Sequence, residues 1–314
     1  MLKEVSKEQW IQIISEKSTS VFDDPDYLEL ISRLHRTVIH YYVFYRQEKH
    51  LLGFAVHIKG NSIVVPDHYS YSSFWWSDTL TDFGFFEALD AALKDLRRFY
   101  KSFSFRLPPE VTDIRAFILN GCDAKVNYTY LLKTGKHKVY RANLSEKLKQ
   151  AENYDFELVL GSNFEEVLDQ QIKDFQIFGY TKNKTHFYQK YFEVLFENNF
   201  IKSYSLYLDH KLKASSIIII DKKASKAYNL LHSTSKNNNH FQASAWLYQQ
   251  IIINLFNSEI QTLDLYGADM KGIANFKSGF RGELKPHFTI NYSAKRVYWI
   301  ESLGRLKSFI KKFL

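Results

Sequence analysis

The chain has 314 residues, 45% of them hydrophobic and 24% charged, with a formal net charge of +8. That length and composition exclude disorder over most of the chain, and the single cysteine, Cys122, excludes an internal disulfide framework and a multi-cysteine zinc site. Residues 295–314 hold six basic residues against one Glu, so much of the basicity belongs to the tail and is not a nucleic-acid footprint spread over the surface.

In chain order, the first periodic segment is Asp24–Leu34. Asp24 suits an N-cap, Pro25 the first helical position, and Tyr27, Leu30, Ile31 and Leu34 share one face. Strands are predicted over Ile39–Tyr45, Leu51–Ile58 and Ile63–Val65, joined by turn residues at Lys49-His50 and Gly60-Asn61. An aromatic loop, Tyr69–Trp76, precedes an amphipathic helix from about Phe83 to Tyr100. A strand at Phe103–Leu107, a short helix at Thr112–Leu119 stopped by Asn120-Gly121, and a hairpin of Tyr128–Lys133 with Lys138–Ala142 complete this half.

The second half repeats the order. Phe156–Leu160 reads as a strand, Asn163–Phe178 and Thr185–Asn198 as helices, and Ile201–Leu208, Leu212–Ile220 and Ala227–Ser233 as a meander. An Asn-rich loop at 236–240 leads to a helix over Gln242–Phe256, a strand at Thr262–Tyr266, a short helix at Ile273–Phe280 and a last strand at Leu284–Tyr292. The repeat is one of element order, not of residue identity. It predicts a mixed α/β (α+β) chain of two tandem domains, each a mixed, largely antiparallel sheet flanked by helices. The expected domains are 1–145 and 146–296, divided near a polar, charged stretch at 143–155. Residues 297–314 are expected as a basic amphipathic helix, with Trp299, Leu303, Leu306, Ile310 and Phe313 in one stripe. Such a helix packs on its domain or meets an anionic membrane face.

No run of 18 apolar residues occurs, and the first residues lack the apolar core of a secretory signal, so a cytoplasmic protein is expected, peripheral at the inner membrane face if the tail helix binds lipid. The eleven histidines show no ligand spacing, and no metal is expected.

The most informative stretch runs from Leu263 to Leu284. A strand ends in Asp264-Leu265-Tyr266-Gly267, an Asp-x-x-Gly turn, and a short helix then carries Phe276-Lys277-Ser278-Gly279-Phe280. It resembles the C-terminal signature of the FemAB-like acyltransferases. Phe22–Leu28 is similar to that family's opening segment, and Arg106-Leu107-Pro108-Pro109 to a strand end within its first domain. The sequence departs from the pattern at Arg281, where the family has Gly, and has no Gln/Arg-x-x-Gly-x-Gly phosphate loop before either long helix.

The resemblance implies two tandem GNAT-fold domains and transfer of an acyl or aminoacyl group to an amine. Acyl-CoA or aminoacyl-tRNA would be a co-substrate, with no tightly bound cofactor. The acceptor would be a small molecule, an amino sugar or a cell-envelope precursor, and the only nucleic acid expected is tRNA as a donor carrier. In that reading Lys277 is the catalytic cation, placed near the developing oxyanion or on donor phosphates. Arg281, expected one helical turn later, would clamp the same anion. Asp264 either orients the acceptor amine or bonds the turn amides. Tyr266, Gly267, Phe276 and Phe280 would wall the cleft. Gln242 and Ser244, opening a helix, would offer N–H groups to phosphate. Trp75 and Trp76 would stack on a sugar or base, or simply pack. The competing function is a catalytically silent binding or scaffold protein on the same duplicated fold.

Overall fold

A computed structural model describes residues 1–15, 20–135, 140–235 and 240–295. The chain divides into two compact units, Met1–Asn127 with Pro286–Leu314, and Tyr128–Lys285.

The first unit opens with β1 (Leu2–Val5), α1 (Lys7–Ser15) and α2 (Pro25–His35). The Asp24 carboxylate accepts the Asp26 N–H at 2.9 Å and caps α2, with Pro25 in its first turn. The meander β2 (Val38–Arg46), β3 (Lys49–Lys59) and β4 (Ser62–Val64) follows, then β5 (Trp75–Trp76), α3 (Asp82–Phe99), β6 (Ser102–Arg106), α4 (Arg115–Leu119) and β7 (Asp123–Lys133), which runs on into the second unit. Helix α3 forms because Leu89, Leu93 and Leu96 recur on one buried face, while the Thr81 hydroxyl accepts the Gly84 N–H at 3.0 Å. That face covers Leu52, Phe54, Phe103 and Phe105 of the sheet.

The second unit continues with α5 (Ala142–Ala151), β8 (Glu157–Leu160), α6 (Phe164–Ile177), α7 (Lys182–Glu197), β9 (Ile201–Leu208), β10 (Lys211–Asp221), β11 (Lys226–Thr234), α8 (His240–Phe256), β12 (Thr262–Asp264), α9 (Lys271–Ser278) and β13 (Glu283–Ser293). Its strands lie in the order β8-β9-β10-β11-β12-β7, all antiparallel except β11 with β12. Leu247, Ile251 and Leu255 of α8 recur at helical spacing and pack on Leu206, Ala214 and Ile218. From Pro286 onward β13 returns to the first unit. There the order is β1-β2-β3-β4-β6-β13, antiparallel except β4 with β6.

The mixed α/β class, the largely antiparallel sheets and the repeated element order agree with the sequence reading. Three details differ. The chain passes between units at 127/128 and at 285/286, not once at 145/146. The charged stretch at 143–155, where the domain division is expected, lies within the second unit. It belongs largely to α5, whose Leu144, Leu148 and Ala151 are buried as the helix packs on α8. The expected hairpin strand at Lys138–Ala142 is also absent at its described end, because Ala142 opens α5. The tail helix at 297–314 lies outside the described residues. Among the described residues no helix is long and apolar enough to cross a membrane.

Candidate active site

Strands β11 and β12 run parallel for three residues, through Ala227 opposite Leu263 and Tyr228 opposite Asp264. They then part. Chain leaving β12 follows β7, with Leu265 N–H on the Tyr130 carbonyl and Ala268 N–H on the Tyr128 carbonyl. Strand β11 stays with β10 and bulges at Leu230, between the pairs Ile217–Leu231 and Ile218–Asn229. The fork opens a cavity of about 720 Å³. Its walls come from Asn229–His232 and Thr234 of β11, Phe241, Ser244 and Tyr248 of α8, the turn Tyr266-Gly267, and Gly272, Ile273 and Phe276 of α9. Asn143, Leu144 and Lys147 of α5 close one side. The volume suits a small-molecule site.

Lys277 also lines this cavity, although only 7% of it is exposed. Its ammonium donates to the carbonyls of Leu265 (2.7 Å), Tyr266 and Gly267 (2.9 Å), which uses all three of its N–H groups. Burial pushes its pKa down to about 8, opposed by the Asp264 and Asp269 carboxylates. The turn it holds needs positive φ at Tyr266 (45°) and Gly267 (69°), a conformation in which glycine is unstrained. Asp264, 3% exposed, supports the same turn. Its Oδ1 accepts the Tyr266 N–H at 2.8 Å and the Thr129 hydroxyl. Asp269 accepts the Tyr128 N–H at 2.9 Å.

Across the fork lies a polar chain. His232 Nδ1 is 2.8 Å from Ser216 Oγ, and its Nε2 is 2.7 Å from Ser244 Oγ and 3.2 Å from Thr234 Oγ1. The ring packs on Tyr248 with centroids 4.5 Å apart. Burial, with the Lys277 charge second, drives the His232 pKa down to about 3, so the ring is neutral at pH 7. The Asn229 amide donates to Tyr248 Oη at 2.8 Å.

The first unit has the same parallel fork, between β4 and β6, where Ser62 lies opposite Ser102 and Ile63 opposite Phe103. Here the chain fills it with its own segment. Ser72 N–H donates to the Arg106 carbonyl at 2.7 Å, and Arg106 N–H donates to Ser72 Oγ at 2.9 Å. The Arg106 guanidinium reaches the Tyr69 carbonyl. Ser73 next door donates to Asp23 at 2.6 Å and accepts the Ala55 N–H at 3.1 Å.

The cavity thus gathers Lys277, Tyr266, Gly267, Phe276 and Ser244 from the residues singled out in the sequence, with Asp264 just beneath the turn. Others lie elsewhere. Phe280 is fully buried among Tyr140, Tyr248 and Phe276, a core position rather than a cleft wall. Arg281 is exposed and left-handed (φ 56°), because α9 stops at Ser278. It does not share a helical face with Lys277, and the expected clamp does not form. Gln242 turns away from the cavity and donates to Gln150 of α5 at 2.8 Å. Trp75 and Trp76 pair with Gly53 and Leu52 of β3 in the first unit; Trp75 is buried, and Trp76 packs on Phe74 and Phe85 and lines a separate cavity there, away from the β11–β12 fork. Cys122 is buried, and burial raises its thiol pKa to about 12, which makes it a poor nucleophile. Among the described residues no three His, Cys, Asp or Glu side chains group to hold a metal ion. The sequence reading missed His232 and Asn229. A histidine among the apolar residues of a strand was their only signal.

No protein-family model and no curated protein matches the sequence. Solved structures do match. FemX superposes with a TM-score of 0.66 at 11% identity, covering 96% of this chain and 99% of that one. A tandem GNAT protein from the clavulanic acid biosynthesis pathway gives 0.57 at 9% identity, over 94% and 98%. L-PGS from Bacillus licheniformis gives 0.52 at 12% identity, over 93% of each chain. Two units of one element order, each with its parallel fork, and these full-length superpositions lead to one conclusion: the chain has the tandem GNAT fold of the FemAB-like proteins.

Proposed function

We propose that the second unit binds an acyl donor in the β11–β12 fork and transfers its acyl group to an amine. The observation that carries this is the open fork itself, a cavity of about 720 Å³ in one unit where the other unit's fork is filled by its own chain. The acceptor is the amine of a small molecule, an amino sugar or a cell-envelope precursor. Its nitrogen attacks the donor carbonyl, the C–S or C–O bond to the carrier breaks, and the departing sulfur or oxygen takes up the proton that nitrogen loses. The site's contribution is positioning and a fixed field. Lys277 acts through the turn it holds, since its N–H donors already rest on three carbonyls, while its charge still faces the cavity. It is a positioning residue in this account. His232, whose pKa burial lowers to about 3, is a weak proton acceptor and is not assigned as the base.

The test is mass spectrometry of the full chain with acyl-CoA and aminoacyl donors and a panel of amines. Amine-dependent consumption of donor that is lost in Gly272→Trp is expected. Gly272 sits on the cavity wall, and a Cβ there meets open space, so the indole fills the cleft without disturbing the core. Donor binding without amine-dependent turnover would instead support the silent scaffold.

A further inference from the structure

One acceptor on the cavity wall has no protein donor. Asn229 lines the fork and is 4% exposed, and among the described residues its Oδ1 is buried without a hydrogen-bond partner. Its other amide atom, Nδ2, donates to Tyr248 Oη at 2.8 Å. Tyr248 lines the same cavity, is buried, and among the described residues makes no hydrogen bond besides that one. Burial raises its pKa above the ordinary tyrosine value, so the hydroxyl keeps its proton at pH 7.

An asparagine side chain brings an acceptor oxygen and two N–H donors, and a tyrosine one O–H that can also accept. The single bond between Asn229 and Tyr248 leaves a donor and an acceptor unused on one patch of wall. Turning the amide over does not change this. Tyr248 O–H then donates to Oδ1, and an Nδ2–H and the Tyr248 oxygen remain. A buried polar group without a partner costs about as much as a lost hydrogen bond, and a leucine of similar shape would carry no such cost. The pair is completed by a group that enters the cavity.

That group must donate and accept from the same side. An ammonium only donates, and a carboxylate or ketone only accepts. A hydroxyl has one atom for both tasks. A trans secondary amide points its N–H and its C=O in opposite directions. A primary carboxamide or a lactam presents the two side by side, on separate atoms. From this count we infer that the ligand group seated in the β11–β12 fork is a carboxamide-type edge, its N–H and C=O read together by Asn229 and Tyr248. The inference rests on the donor-cleft reading above and narrows the donor to one whose buried part carries that edge.

The probes are hexanamide, 2-heptanone (a methyl in place of the NH2), N-methylhexanamide, 1-hexanol and hexylammonium. Their binding to the full chain is measured by ligand-observed NMR titration. Hexanamide is expected to bind about fivefold more tightly than 2-heptanone, although it is the more polar of the two and a plain apolar wall would prefer the ketone. N-methylhexanamide is expected to stay within about twofold of the ketone. In Asn229→Leu the order of hexanamide and ketone is expected to reverse, with ketone binding unchanged within about twofold. The ratio of two ligands on one protein is a readout that a merely structural role of Asn229 would not move. Hexanamide no tighter than 2-heptanone on the parent protein overturns the inference whether or not the variant folds, and leaves the donor cleft standing. So does tighter binding of 1-hexanol or hexylammonium than of hexanamide, and so does an amide preference that persists in Asn229→Leu. Donor turnover that Gly272→Trp leaves unchanged overturns the donor cleft and this inference together.

Discussion

Asp264 and Lys277 grip one turn from two sides: the carboxylate accepts the N–H of Tyr266, and the ammonium takes the carbonyls of Leu265, Tyr266 and Gly267. Backbone donors and acceptors of the same three-residue segment are thereby satisfied by two charged side chains from different elements. The pair shapes the edge of the cavity, and its replacement should show first in the turn.

Lys277→Met removes the ammonium shared by the carbonyls of Leu265, Tyr266 and Gly267. A loss of about 2–3 kcal/mol of stability is expected, together with loss of transferase activity. Urea denaturation and turnover on the same preparation check both. Full activity in a folded Lys277→Met protein would remove this residue from the site.

Asp264→Asn separates a structural acceptor from a base. Asparagine keeps an acceptor oxygen for Thr129 and Tyr266, so activity is expected to stay within about fivefold and stability within about 1.5 kcal/mol. A base would lose about a hundredfold or more. Asp264→Ala, lacking the acceptor, should cost both stability and activity.

Three histidines carry pKa values lowered by burial: His35, His57 (about 3) and His232 (about 3). Each binds its proton more weakly in the folded state than in the unfolded one. Between the unfolded value near 6.5 and the folded value, the unfolded state therefore holds more protons, and stability falls as pH falls through that window. Each such histidine adds up to about 1.4 kcal/mol per pH unit to the slope. Thermal unfolding between pH 7 and pH 4 should show the fall, and His57→Gln, in the first unit, should reduce the slope while leaving activity at pH 7 intact. An unchanged slope in that variant would count against the assignment.

Ser72→Ala tests the filled fork of the first unit. It deletes the acceptor for Arg106 N–H and should cost about 1 kcal/mol, with donor binding in the second unit unchanged. Altered donor affinity in a folded Ser72→Ala protein would contradict independent roles for the two forks.

Much of this architecture is written in the sequence as period and punctuation. Asp24-Pro25 marks the start of α2, and the strand Ile201–Leu208 is read to the residue. The turn at Asp264–Gly267 and the short helix with Lys277 are legible through the resemblance of Asp264-x-x-Gly267 and Phe276-Lys277-x-x-Phe280 to the FemAB-like signature. Helix α5 carries Leu144, Leu148 and Ala151 on one face, but its density of charged residues reads as a domain boundary. Arg281 reads as part of α9 from the sequence, whereas the helix ends at Ser278 and Arg281 itself takes a left-handed backbone (φ 56°). The His232–Ser244 pair is a different matter. One residue comes from a bulged strand and the other from the opening of the following helix, and their meeting depends on how that helix packs, which periodicity does not encode.

The first unit's segment from Tyr69 to Ser73 has a quantitative corollary. A duplicated module would ordinarily offer two equivalents of ligand capacity per polypeptide. With one fork plugged by Ser72 and its neighbours, a donor that binds as proposed is expected to saturate at a molar ratio of one, with the isotherm of a single class of site, which calorimetric titration checks.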